Sequence, residues 1–178
     1  MNHKEGKHFT SRVERQNSKV ISQSSEHEGT GLIAQTINVE GLNYIDFTKG
    51  RTISISSFEY AKFDVGLRVY IPELTMDYDQ VYDCVSEYVE QFIAMELANL
   101  DDREHDFQVT KHAKKIIDRC VGKCITLSYA LTLKGDEKYS SISSRIGRSN
   151  YVSDGSDILK AYKDTSEIVA RFIESEMS

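Results

Sequence analysis

The sequence predicts an α+β fold, in which a mainly antiparallel sheet is covered on one face by three helices. Segments 63–71 and 125–133 alternate apolar and polar residues with a period of two, which is typical of strands with one buried face. Segments 77–99, 106–121 and 157–177 instead repeat apolar residues every three or four positions, which predicts amphipathic helices. Because the strands come in neighbouring pairs and the helices follow them, the pattern favours α+β over a parallel α/β architecture.

The N-terminal stretch differs from the rest of the chain in composition. It is rich in Ser, Lys, Glu, His and Gln, and its few apolar residues show no period. Such a stretch cannot bury enough apolar surface to offset the entropy lost on ordering. We therefore predict a flexible arm over 1–30 and a single α+β domain over 31–178.

The strands of the domain are predicted from alternation and from turn residues. Segment 32–39 is a candidate first strand, and 52–56 pairs with 63–71 through a connection at 57–60. Pro72 ends that strand because proline has no backbone N–H to donate. A weaker, Ser-rich strand or loop is predicted over 138–152. The sheet face expected to stay polar and available carries Arg68, Tyr70, Thr126, Ser128 and Thr132.

The helix boundaries are predicted from capping residues. Asp77, followed by Gln80 three positions later, predicts a capping box at the start of 77–99. Gly122 is expected to end the second helix, and Ser156 to cap the third.

A repeat links the first and third helical segments. Seven of the fifteen residues of 82–96 recur without a gap in 162–176. Either the chain contains a pseudo-two-fold strand–helix repeat over 50–100 and 123–178, or only a few residue types suit an amphipathic face. The repeat predicts that Phe92 and its counterpart are both buried against the sheet. The matched residues of the first segment are Tyr82, Ser86, Glu87, Val89, Phe92, Ile93 and Glu96.

Charge is unevenly distributed along the chain. The net charge is −6, yet residues 107–150 hold nine Lys or Arg against three acids, a local balance of +6. This asymmetry indicates an anionic partner, head-to-tail contact between copies in a homo-oligomer, or two differently solvated faces.

The cysteine count and the hydropathy predict a cytoplasmic protein. Three cysteines are an odd number without framework spacing, which favours a reducing compartment. No apolar run approaches the roughly 20 residues of a membrane span, and the polar N-terminus does not look like a secretory signal.

No familiar catalytic motif is present, and no catalytic residue, cofactor or metal site is predicted. The phosphate loop, GxGxxG, GxSxG and HExxH patterns are all missing. Cys120 and Cys124 lack the second ligand pair of an ordinary zinc site, and the acids of 101–106 favour the positive end of the next helix over Mg²⁺. A thiol nucleophile, a small enzyme without a known motif and a purely structural role stay open.

The best functional cluster lies in the basic region. Segment 139–151 combines hydroxyls, two arginines and flanking tyrosines, which suit phosphate binding and base stacking. With the neighbouring strand it predicts a non-enzymatic accessory protein that binds nucleic acid, single-stranded DNA in particular. The predicted binding residues are Lys62, Arg68, Tyr70, Lys138, Tyr139, Arg145, Arg148 and Tyr151.

The alternative is a protein-interaction module, such as an inhibitor of a host enzyme. Its contact surface is expected on the acidic helix 77–99. The acids of that helix are Asp77, Asp79, Asp83, Glu87, Glu90 and Glu96.

One segment resembles a known group of proteins. The run GRTISISSFEYAKFDVGL, from Gly50 to Leu67, is followed by an acidic Tyr/Val helix. Over about 50–98 this pattern resembles small uncharacterised bacteriophage-encoded proteins, a group with no established activity and no residue role to carry over. The resemblance implies a phage or mobile-element protein that acts in the host bacterial cytoplasm.

Overall fold

The fold was analysed from a computed structural model that describes residues 6–16, 19–29, 39, 41–56, 59–153 and 155–177. The α+β prediction is confirmed. The strands are β1 (Gly6–Gln16), β2 (Lys19–Gly29), β3 (Asn43–Ser56), β4 (Glu59–Ile71), β5 (Val121–Lys134) and β6 (Ser140–Tyr151), and the helices are α1 (Tyr78–Leu100), α2 (Lys111–Asp118) and α3 (Ile158–Met177). The strands form one sheet in the order β2-β1-β6-β5-β4-β3. Every neighbouring pair is antiparallel.

The predicted N-terminal arm contains two of these strands. The backbone of β1 pairs with both β2 and β6, so the hairpin extends the sheet beyond β6. The sequence pattern of 1–30 did not predict these strands, because strands pair through backbone hydrogen bonds, which form without an alternation of apolar residues. The mobility predicted for 1–30 stays a prediction, and most of the predicted strand 32–39 lies outside the described residues.

The core lies on one face of the sheet, the face on which the alternating apolar residues of the strands were predicted to lie. Alternate residues of β4 and β5 are fully buried, and cross-strand partners share that face. The central buried pairs are Phe63 with Tyr129, Val65 with Leu127 and Leu67 with Ile125. Helix α1 packs on β3 and β4, and α3 packs on β6 and β5, whereas α2 packs mainly on α1.

The middle helix is shorter than predicted. It covers Lys111–Asp118 rather than 106–121, because the residues before it are tied to α1 in extended form. The Glu87 carboxylate accepts hydrogen bonds from the backbone N–H and the hydroxyl of Thr110, at 2.5 and 3.1 Å. Gln91 accepts one from the backbone N–H of Gln108 at 2.8 Å.

Two capping predictions need correction in detail. Asp77 caps α1 as expected, but Gln80 contacts the ring of His112 at 3.2 Å instead of closing a capping box. At the start of α3 the cap is Asp157 rather than Ser156, since its carboxylate accepts from the backbone N–H of Leu159 at 3.0 Å.

A buried carboxylate joins the two long helices to the sheet. Glu96 of α1 is 3% exposed, and its two oxygens accept hydrogen bonds from three hydroxyls. The donors are Tyr129 of β5 at 2.5 Å, and Tyr162 and Ser166 of α3 at 2.7 Å each. Burial and the neighbouring carboxylate raise the pKa of both tyrosines well above the ordinary value, so both remain donors.

The predicted repeat is not confirmed. Phe92 is fully buried, but Phe172 at the matching position is 38% exposed, so the two helices do not bury equivalent faces. The first turns of α1 and α3 nevertheless resemble each other. Asp77 and Asp157 stand eighty positions apart and cap their helices with the same hydrogen bond.

Candidate nucleic-acid interface

The face of the sheet opposite the helices is the candidate interface, and we call it the open face. It consists of the residues that alternate with the buried ones, and its surface is polar. On strands β3, β4, β5 and β6, the larger side chains of this face are Tyr44, Asp46, Tyr60, Lys62, Asp64, Arg68, Tyr70, Arg145 and Tyr151. Five of the eight predicted binding residues therefore lie together on this face.

A cluster of tyrosines surrounds Arg68 at one end of the open face. The guanidinium lies 4.6 Å from the centre of the Tyr44 ring, and the Tyr44 and Tyr70 rings are 5.4 Å apart. Across the next two strands, Arg68 is in register with Cys124 and then with Tyr151. We call these residues, Tyr44, Arg68, Tyr70 and Tyr151, the tyrosine patch.

The tyrosine patch is held in place by charge and partial burial. Arg68 donates two hydrogen bonds to Asp46, at 2.6 and 3.1 Å, and this contact raises the pKa of the guanidinium. Partial burial raises the pKa of Tyr151. Tyr44 is 51% exposed and Tyr151 is 40% exposed, so both rings remain accessible from the open face.

A pair of cations marks the other end of the open face. Lys62 and Arg145 flank Ala130 in one cross-strand row, which sets their backbones about 10 Å apart. This row is six residues along β4 from the Arg68 row, or about 20 Å. Apart from Asp64, the side chains between the two rows are small, and at Gly66 a Cβ would come within 2.6 Å of the hydroxyls of Thr48 and Thr126.

Three predicted residues lie elsewhere. Arg148 is on the helix-covered face with Ile146, because residues three positions apart in a strand lie on opposite faces and Arg145 is on the open face. Its buried Nε atom has no hydrogen-bond partner in the described part of the chain. Lys138 and Tyr139 belong to the β5–β6 turn, where the Lys138 ammonium lies 5.1 Å from the Tyr139 ring centre. The separation of three positions predicts opposite faces for the two arginines in a continuous strand, but the segment was predicted only as a strand or loop, so they were grouped together.

Sequence reasoning missed Tyr44 and Tyr60. Both are exposed aromatic residues of the open face, at the start of β3 and of β4. The strand predicted at 52–56 was nine residues too short at its beginning, and Tyr60 was assigned to a turn. The alternation of Tyr44, Asp46 and Thr48 with Ile45 and Phe47 is the signal that extends the strand.

The acidic helix offers less outward charge than its sequence indicated. Glu96 is buried, Glu87 accepts two hydrogen bonds from Thr110, the residue that caps α2, and Glu90 pairs with Lys49 of β3. Asp79 and Asp83 remain exposed. A partner protein on this helix stays a prediction, but Glu96 is not available to it.

The cysteines are free thiols with buried side chains. Burial raises the pKa of Cys120 to about 11, which disfavours the thiolate form needed for nucleophilic attack. Among the described residues, no three His, Cys, Asp or Glu side chains converge on a point that a metal ion could occupy.

Comparisons with protein-family models, curated protein sequences and solved structures gave no match. In the part of the chain that the structure describes, none of the helices combines the length and apolar character required to cross a membrane.

Proposed function

We propose that the protein binds single-stranded nucleic acid on the open face of its sheet, without catalysing a reaction. The observation that carries the proposal is the grouping of exposed tyrosines and cations on one polar sheet face that no described helix covers. Sheets with exposed aromatic residues are a recurring platform for unpaired bases, which stack on the rings.

The two ends of the open face suit different parts of a strand. The tyrosine patch offers accessible rings for base stacking, and Arg68 is already fixed beside one of them. Lys62 and Arg145 are placed to neutralise phosphates about 20 Å away. Apart from Asp64, the side chains between them are small and let a backbone lie close to the sheet.

The charge of the open face predicts moderate, salt-sensitive affinity. Arg68 pairs with Asp46, and Lys62 lies 3.6 Å from Asp64. Phosphate contacts must compete with these pairs, and stacking then contributes a large share of the binding energy.

A fluorescence-anisotropy titration with a labelled single-stranded oligonucleotide tests the proposal. The double variant Lys62→Ala/Arg145→Ala should lower the slope of log K against log salt by about 1.4, since each phosphate contact on a single strand accounts for about 0.7. Tyr44→Ala should cost about 1–3 kcal/mol if a base stacks on that ring.

A charge-matched control is available on the other side of the molecule. Lys114→Ala/Lys115→Ala removes the same charge from α2, within the same basic segment, and should leave binding unchanged. Equal weakening by both double variants would mean that net charge, not the open face, binds the oligonucleotide. A wild-type protein that ignores single-stranded DNA and RNA at low salt would overturn the proposal.

A further inference from the structure

A carboxylate lies in the middle of the open face, between the tyrosine patch and the two cations. Asp64 of β4 is in register with Gly50 of β3 and with Ser128 of β5. Its side chain leans over Gly50, where a Cβ would lie only 2.1 Å from the Asp64 Oδ1 atom. With small neighbours on both strands and 31% of its side chain exposed, Asp64 is accessible to a ligand on the open face.

Asp64 is held less firmly than the other carboxylate of this face. Asp46 accepts two hydrogen bonds from Arg68, at 2.6 and 3.1 Å. The Nζ atom of Lys62 instead lies 3.6 Å from the Asp64 Oδ2 atom, which is too far for a hydrogen bond. A carboxylate has about four acceptor sites on its two oxygens, so Asp64 can accept from donors of a ligand.

Two hydroxyls lie in the neighbouring cross-strand row. Gly66 follows Asp64 by two residues on β4, or about 7 Å, and is flanked by Thr48 and Thr126. Both hydroxyl oxygens lie 2.6 Å from the position that a Cβ of Gly66 would take, so they converge over this glycine. The middle of the open face thus presents hydroxyl donors in one row and a pair of carboxylate acceptors in the next.

A negative charge at this place favours a base over a phosphate. The carboxylate repels the backbone of a bound strand and attracts N–H donors of a base edge. Guanine carries two adjacent donors, N1–H and N2–H, next to the acceptor O6 on its Watson–Crick edge, and this edge is accessible in a single strand. Adenine, cytosine, thymine and uracil lack such a pair of neighbouring donors.

We propose that Asp64 selects guanine in a single strand bound to the open face. Its two oxygens accept from N1–H and N2–H, and a hydroxyl of Thr48 or Thr126 donates to O6. This inference rests on the proposed function and adds a base preference at one position of the bound strand. Stacking on the tyrosine patch is tolerant of sequence, so the preference comes from Asp64.

Two labelled oligonucleotides test the preference at low salt: an oligothymidylate, and the same strand with a single central guanine. The wild-type protein should bind the strand with guanine about fivefold more tightly or better. Hypoxanthine in place of guanine lacks the N2 amino group, and 2-aminopurine lacks N1–H, so each should lose most of the preference. 7-Deazaguanine keeps the Watson–Crick edge and should retain it.

The variant Asp64→Asn tests the residue. An amide offers one acceptor oxygen in place of two, so the ratio of the two affinities should fall to about one. Binding of the oligothymidylate should be as tight as in the wild type or tighter, because a charge that repels phosphates is removed. Asp83→Asn, at an exposed position of α1, makes the same change of charge and should leave the ratio unchanged.

The outcomes separate this inference from the proposed function. Equal binding of the two oligonucleotides by the wild-type protein, or a guanine preference that persists in Asp64→Asn, would overturn the inference and leave single-strand binding intact. Failure of the wild-type protein to bind either oligonucleotide would overturn the proposed function and the inference with it.

Discussion

Two parts of the molecule share their local structure and differ in their surroundings. The unit β3–β4–α1 and the unit β5–β6–α3 each consist of a hairpin followed by a helix that an aspartate caps. Yet Phe92 and Glu96 are buried in the first, whereas Phe172 and Glu176 are exposed in the second. In the first unit, α3 lies next to α1 over the sheet and covers Phe92 and Glu96. Identical side chains on similar helices therefore contribute very differently, according to what lies next to them.

The matched tyrosines Tyr82 and Tyr162 also differ in exposure, but here the buried one belongs to the second unit. Tyr162 is fully buried between the two helices, but its counterpart Tyr82 is 44% exposed and meets the edge of the Phe47 ring. The Tyr–Ser flank of α1 faces the outer side of the sheet, where no described helix follows. The matched tyrosines therefore differ in exposure because only Tyr162 lies between two helices.

The largest expected difference is in the two phenylalanines. Phe92→Ala should lower the free energy of unfolding by about 3–5 kcal/mol, because it removes a buried, stacked ring and leaves a cavity. Phe172→Ala should change it by no more than about 1 kcal/mol, as is usual for exposed positions. Urea unfolding of both variants measures the difference. Equal losses would mean that the Phe172 ring is as well covered in solution as the Phe92 ring.

The two glutamates should differ next. Glu96→Leu removes the acceptor of three buried hydroxyls and should lower the free energy of unfolding by about 2–4 kcal/mol in total. The loss is limited because the Ser166 hydroxyl can donate to a carbonyl of its own helix instead. Glu176→Leu should have little effect on the same urea curve. If Glu96→Leu were neutral, the buried hydrogen bonds would not stabilise the α1–α3 contact.

Alkaline unfolding probes the same contact through its tyrosines. The pKa of Tyr129 and of Tyr162 is raised in the folded protein above the ordinary 10.0, so their contribution is complete below pH 10. Above pH 10 the unfolded chain loses these protons while the folded protein keeps them, and stability should fall by about 1.4 kcal/mol per pH unit for each tyrosine. Tyr162→Phe should reduce this slope by one such increment. An unchanged slope in that variant would contradict the assignment.

The helix caps should show the smallest effect and no difference between the units. Asp77→Ala and Asp157→Ala each remove one side-chain cap with the same geometry, 2.9 and 3.0 Å, and should each cost about 1 kcal/mol. Thermal unfolding of the two variants under one condition gives the comparison. A clearly larger loss for one of them would show that its turn does more than start a helix.

The candidate site was predicted in part. Lys62, Arg68 and Tyr70 were expected on the polar face of one strand, and Arg145 and Tyr151 were expected from the composition of 139–151; all five lie on the open face. Arg148 was grouped with Arg145 because 138–152 was predicted only as a strand or loop; in a continuous strand, residues three positions apart lie on opposite faces. Tyr44 joined the site only when β3 was seen to begin at Asn43. The pairing of strands from distant parts of the chain, which the sequence does not specify, places these residues on one face of the sheet.

The sequence by itself determined the α+β class, the faces of β4 and β5, and the approximate positions of α1 and α3. These features depend on local periodicity, which repeats every two residues in a strand and at three and four in a helix. Only the tertiary structure decided that Glu96 is buried while Glu176 is not, and that Phe92 is covered while Phe172 is exposed. Burial at those positions depends on which helix lies beside them over the sheet. The order of the strands determines that neighbouring helix, and strand order depends on contacts between distant parts of the chain.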